Sequence, residues 1–175
     1  MDSEIILKIV LVIGAFWFME FMAWLTHKYV MHGFLWVLHK DHHALTGKRF
    51  EWNDLFAMMF AIPSFILIFN GLPETGYGFF IGIGIAFYGL AYFLFHDALV
   101  HQRVKLWGNT DRVNYLRAVV AAHEDHHKGK KNFGFLLFFP WKYFKPENQK
   151  SYYDRLYEKS KKSSASSSAN KTSSQ

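Results

Sequence analysis

Three long apolar stretches organise the chain: roughly Ile5 to Thr26, Leu55 to Leu72 and Tyr77 to Phe95. As a helix, each is long enough to cross the hydrocarbon core of a bilayer. Their apolar residues form runs rather than amphipathic stripes, the pattern of a membrane span and not of a soluble core. The first stretch carries Lys8 near one end and Glu20 inside, and apolar character resumes from Tyr29 to Leu38. This helix is therefore expected to project beyond the membrane. The second holds Pro63 at its middle, where a kink is tolerated if neighbours repack around it. Asn70-Gly-Leu-Pro-Glu-Thr-Gly76 reads as a turn, so spans two and three form a helical hairpin. Asp111 to Lys128 is expected as a helix on the membrane surface. Phe133 to Trp141 is too short to span as a helix and is expected at the interface. From Lys159 onward only Lys, Ser, Ala, Asn, Thr and Gln occur, which predicts a disordered tail. The pattern predicts an all-α integral membrane protein with three or four transmembrane helices, one domain over 1–158 and a tail over 159–175.

Composition agrees: 51% of the 175 residues are hydrophobic and 19% aromatic. The chain has no cysteine, which excludes disulfides, thiolate-ligated haem, iron–sulfur clusters and Cys-type zinc sites. Its start does not fit a cleaved signal, because the apolar run is too long and Asp2 and Glu4 precede it. The net charge of +6 sits beside apolar segments and toward the C-terminal end, which suits lipid headgroups or an acidic partner. No nucleic-acid-binding motif is present, and no nucleic acid is expected as a partner. Four Lys or Arg lie between His27 and Asn53, fifteen follow Phe95, and the hairpin turn has none. By the positive-inside rule the segments after spans one and three are cytoplasmic. The glycines of span three, including the Gly78-x3-Gly82 pair, are read as close helix packing.

Against this frame all ten histidines fall into four clusters: His27-x4-His32, His39-x2-His42-His43, His96-x4-His101 and His123-x2-His126-His127. The topology places every cluster on the cytoplasmic side. Neutral imidazole ligates iron, zinc, copper and nickel. Ten are too many for one ion and suit two, so the clusters predict a dinuclear metal site in a cytoplasmic, histidine-rich helical cap. On a helix, residues three and four apart are neighbours. His39, His42 and His43 are thus expected to face one centre, as are His123, His126 and His127. The partners in His27-x4-His32 and His96-x4-His101 stand roughly 140° apart on an ideal helix. They are expected to reach two different ions, or one ion if the helix loosens at its end. An all-nitrogen site would hold zinc at least as well as ferrous iron, so zinc can substitute in purified protein. Iron is favoured by the chemistry a lipid-embedded enzyme needs, oxygen activation against an unactivated C–H bond. Glu20 lies seven residues before His27 on nearly the same face. It is a candidate for a hydrogen bond to a ligand histidine or for pairing with a polar residue on span three. Asp97 adjoins His96 and is a candidate to orient an imidazole.

Several stretches carry a family resemblance: Trp24-Leu-Thr-His-Lys-Tyr-Val-Met-His-Gly33, His39-Lys-Asp-His-His43, Glu51-Trp-Asn-Asp-Leu-Phe56, His96-Asp-Ala-Leu-Val-His-Gln-Arg103 and Tyr115-Leu-Arg-Ala-Val-Val-Ala-Ala-His-Glu-Asp-His-His127. Over roughly residues 10 to 145 the chain resembles the fatty-acid-hydroxylase and sterol-desaturase superfamily, and within it the bacterial β-carotene hydroxylases of the CrtZ type. Ala98 stands where members commonly have glycine. The resemblance implies a membrane non-haem di-iron monooxygenase that uses O2 as co-substrate and hydroxylates carbon 3 of β-ionone rings, taking β-carotene to β-cryptoxanthin and zeaxanthin. It carries all ten histidines over as iron ligands or their immediate support. It also implies an external electron donor, a ferredoxin with its reductase, and location in the bacterial inner membrane. The chain itself offers no flavin or nicotinamide motif, so the electrons must come from outside. Lys128, Lys130 and Lys131 offer a basic patch for an acidic donor or for headgroups. The alternative within the superfamily is a hydroxylase or desaturase acting on another lipid, a fatty acid or a sterol.

Overall fold

The computed structural model describes residues 2–44, 50–104, 106, 112–136, 141–158 and 161. All regular elements among them are helical. The chain divides into two compact units, 1–108 with 133–139, and 109–132 with 140–175.

In the first unit, α1 (Ser3–Thr26) starts at Asp2, whose side chain accepts from the Glu4 N–H. It continues as a π-helical segment, His27–Phe34, inside which Gly33 leaves helical geometry at φ −104° and ψ −124°. That break redirects the chain into α2 (Trp36–His43). Next come α3 (Asp54–Gly71) and α4 (Tyr77–Tyr92), and α4 again runs on as a π-helical segment, Phe93–Val100. Three helices are long and apolar enough to cross a membrane: Ser3–Phe34, Asp54–Gly71 and Tyr77–Val100. Exposed Val10, Ile13, Phe18, Phe65 and Phe69 suit contact with lipid.

Between apolar helices in lipid, close backbone approach replaces the hydrophobic drive. Two glycines of α4 provide it. A methyl group on Gly82 would come within 3.0 Å of the Ile68 nitrogen of α3, and one on Gly84 within 2.7 Å of the Ala15 Cβ of α1. The Ser64 hydroxyl donates to the Gly82 carbonyl at 2.8 Å, fastening α3 to α4. Gly78 makes only an ordinary contact with Leu67, so the packing centres on Gly82 and Gly84 rather than on the 78/82 pair.

Residues 133–136 depart from expectation. They are enclosed rather than superficial: Phe135 and Leu136 are buried in the core of the first unit with Met19, Ala23 and Tyr88. A non-helical backbone is tolerated there only when its polar groups are paired. The Phe133 carbonyl accepts from His27 Nδ1 at 2.8 Å, and the Leu136 N–H donates to Glu20 Oε1 at 3.1 Å.

The second unit is built on α5 (Asn114–His127), followed by short 3-10 turns at Trp141–Phe144 and Pro146–Asn148 and helical residues 150–158. The expected surface helix starts later than Asp111, which lies outside the described residues. It is also mostly enclosed, with Ala118 and Ala121 fully buried. Its small apolar residues suit a helix packed on more than one side. Tyr143 donates to Asp125 at 2.7 Å and accepts from Asn132 at 2.7 Å. Burial raises the Asp125 carboxyl, but hydrogen bonds from Lys130, Tyr143 and Ser151 outweigh it and hold the group below its ordinary value. Lys130 pairs with Asp125 at 2.6 Å, which ties one of the three basic-patch lysines to the fold. Apart from Lys161, the tail expected over 159–175 lies outside the described residues.

Candidate metal centre

In the first unit the histidines gather at one end of the helices. His27 and His32 follow α1, His39, His42 and His43 belong to α2, and His96 and His101 close α4. The N-terminal end of α3 joins them through Arg103, whose guanidinium grips both oxygens of Asp54 at 2.7 Å. Such a bidentate pair fixes orientation as well as distance.

The His-x4-His spacing becomes intelligible through the π-helical turns. A π-turn bonds residue i to residue i+5, so residues five apart stack where an α-helix would splay them. The His101 N–H donates to the His96 carbonyl at 2.9 Å in this pattern. The ring centroids are 5.0 Å apart for His27 and His32, and 4.6 Å for His96 and His101. The helix does loosen at its end, and His27 and His32 come into one group of ligand nitrogens.

Ligand nitrogens of His27, His32, His39 and His43 lie within 4.8 Å of one another, and so do those of His42 and His101. Nitrogens bound at about 2.1 Å to one ion stand about 3–4 Å apart, so the first set suits a single metal. The expectation that His39, His42 and His43 face one centre is corrected. Along α2, His42 and His43 are separated by about 100°. His43 therefore turns with His39 to the first set, while His42 packs on His101 at 4.2 Å between centroids. His96 belongs to neither set; it stacks on His42 at 4.9 Å and on Tyr92 at 4.4 Å.

Among the described residues, His27, His39, His42 and His96 are held through Nδ1. His27 donates to the Phe133 carbonyl at 2.8 Å and His39 to Asn53 Oδ1 at 2.6 Å. His42 pairs with Glu51 at 3.0 Å and His96 with Asp97 at 3.1 Å. An acceptor on Nδ1 fixes the proton there and leaves the Nε2 lone pair for a metal. His39 Nε2 is buried with no hydrogen-bond partner, the condition expected of a ligand atom awaiting its ion. Burial pushes the His39 imidazole down to about 2 and the His43 imidazole to about 4, so both are neutral donors near neutral pH. Asp97, a candidate to orient an imidazole, is the partner found at His96 Nδ1. Glu51 and Asn53 were missed as partners. Their signal was two polar residues directly ahead of an apolar span, without a sequence neighbour to orient.

On α5, His123 Nε2 and His127 Nε2 approach to 2.9 Å, and the His126 ring lies 5.7 Å from that of His123. Two Nε2 lone pairs that close suit a shared cation.

Beneath the histidines of the first unit is a cavity of about 440 Å³ between α1, α3, α4 and Phe135. Apart from Ser64, Tyr88 and Tyr92 its lining is apolar, with Met19, Met31, Phe56, Phe60 and Ile85 prominent. Two lining residues reach the histidines: Tyr92 stacks on His96, and Phe135 stacks on His27 at 4.7 Å.

Comparison with known proteins accounts for this arrangement. The fatty acid hydroxylase model matches residues 12–145. The chain belongs to the fatty acid hydroxylase family. It is 44% identical to a β-carotene hydroxylase of Pantoea ananas over 123 residues, covering 67% of this chain and 70% of that protein. It is 43% identical to the β-carotene hydroxylase of Pseudescherichia vulneris, covering 67% and 69%. To the chloroplastic β-carotene hydroxylase 2 of Capsicum annuum it is 40% identical over 74% of this chain but only 43% of that longer protein. No solved structure matches the chain. Membership makes this a membrane protein and a hydroxylating oxidoreductase whose histidine groups suit a metal site. For a hydroxylase of this family, a buried all-nitrogen donor set against an apolar cavity is a coherent pairing: a lipid-soluble substrate beside a metal.

Proposed function

We propose that this hydroxylase is a β-carotene 3-hydroxylase, converting β-carotene to β-cryptoxanthin and then zeaxanthin. The observation that carries the reading is the meeting of cavity and histidines through Tyr92 and Phe135. An apolar ring end entering this cavity would come to rest near His27 and His96, with the remainder of the polyene in lipid. Identity to named β-carotene hydroxylases supports this substrate over a fatty acid or sterol.

We propose the ten histidines as iron ligands or their immediate support, with two iron ions as cofactors. His27, His32, His39 and His43 would hold one ion, and His42 and His101 contribute to the other. His96 supports them, and His123, His126 and His127 enter through the motif shared with the family. Iron, when bound, supplies activation of O2 for C–H hydroxylation. The chain's own share is to keep Nε2 of His27, His39 and His42 deprotonated through their Nδ1 partners, and to exclude water with an apolar lining. Electrons would come from a ferredoxin-type donor and its reductase.

In a β-carotene-accumulating host supplied with iron and a donor, the expected pigment is zeaxanthin by way of β-cryptoxanthin. Unchanged β-carotene beside inserted, iron-loaded protein would sink the carotenoid reading. We place the metal on the cytoplasmic side of the bacterial inner membrane, on the Lys and Arg distribution. A topology reporter fused at Glu74 should then read as external; a cytoplasmic signal there would refute the orientation.

A further inference from the structure

We propose that Glu20 is a positioning residue: it seats residues 133–136 as the wall between cavity and histidines, and so sets how the substrate's ring end is presented. This rests on the carotenoid reading for its substrate, though not for its geometry. Glu20 is fully buried in the middle of the first span, where an acid is costly unless it is paired and used. Its carboxylate accepts from the Tyr88 hydroxyl at 2.8 Å and from the Leu136 N–H at 3.1 Å. It falls in neither ligand group.

The pins on the segment it holds include Glu20 at Leu136 and His27 at the Phe133 carbonyl. Between the pins stands Phe135. Its ring lies nearly parallel to His27, 18° between planes, and edge-on to His96 and Tyr92 at 5.3 and 5.1 Å. Phe135 and Tyr88 also line the cavity. Releasing Leu136 would free the backbone that carries Phe135, and the cavity would lose its fixed wall beside the histidines. A misplacement of about 1 Å at such a wall can cost about a hundredfold in rate, and it would let more than one ring carbon reach the metal.

The natural absence of cysteine gives a direct readout. In membranes containing the full chain, a thiol introduced by Leu136→Cys should react slowly with a permeant maleimide. Adding Glu20→Leu should speed labelling at least tenfold, and Glu20→Gln, which keeps one acceptor oxygen, should fall between. In the cysteine-free chain, Glu20→Leu should retain bound iron, lower conversion about a hundredfold and yield hydroxyls at ring positions besides carbon 3. Equal labelling rates, or slowed conversion with carbon 3 as the sole position, would overturn the proposal. Should Glu20→Leu fail to insert, Phe135→Ala leaves both pins in place and must shift the product positions at retained iron; an unshifted pattern overturns the proposal equally. Protected labelling of Leu136→Cys that depends on Glu20, together with a wild-type chain that hydroxylates no carotenoid, would support the seating role while ending the carotenoid reading.

Discussion

The two π-helical turns share a spacing and a position. Each ends a membrane span, each carries His-x4-His, and each brings its two rings to about one contact distance. Their environments differ. In the first turn both histidines join one ligand group, with His27 steered by a backbone carbonyl from residues 133–136. In the second only His101 belongs to a group, while His96 is held by Asp97 on one side and stacks on Tyr92 on the other. The hydroxyl of Tyr92 lies 3.5 Å from His96 Nε2, the edge usable by a metal. On the assignment proposed above, the same motif yields two ligands in one turn and a ligand with its support in the other. Spacing brings rings together; what meets each ring nitrogen decides its work.

The largest test of that contrast is the pair His32→Ala and His96→Ala. His32→Ala should abolish conversion and sharply lower bound iron. His96→Ala should keep most of the iron and slow conversion about 10–100-fold, the scale of lost support around a metal ligand. Pigment and metal analysis of the same preparations measure both, and equal metal loss would erase the distinction between the turns. A smaller effect is expected one layer out. Asn53→Ala, which frees Nδ1 of the ligand His39, should weaken metal binding about tenfold or more. Asp97→Ala, acting on a support residue, should weaken it less. Competition with a metal-sensitive dye reports both, and the reverse order would contradict the assignment of His96.

Much of this was legible in the chain. Continuous apolar runs gave the three spans, and the distribution of Lys and Arg put the histidine clusters on one side, in keeping with the seven that gather at one end of the first unit. Ten histidines without a cysteine pointed to an all-nitrogen site. The π-turns were not visible, because the His-x4-His spacing was measured against an ideal α-helix and nothing in an evenly apolar span marks a change of helix type. With α-geometry assumed, the x4 pairs were left to divide between two ions or to share one at a loosened helix end, and the α2 triad to converge. His27 and His32 follow the second course, while His42 and His43 turn to different groups. Residues 133–136 were misjudged because their length forbids a spanning helix but does not forbid insertion. The partner that permits insertion, Glu20, lies more than a hundred positions away in sequence. Of the two partners considered for Glu20, a ligand histidine or a polar residue on span three, Tyr88 of span three donates to it.

The central claim is a pair of metals held by imidazole alone. Its most direct test is metal stoichiometry with X-ray absorption on wild-type protein purified under anaerobic, iron-replete conditions. The account predicts two irons per chain, a nitrogen-dominated shell and no sulfur. A single metal per chain at full loading, or a shell dominated by carboxylate oxygen, would contradict it.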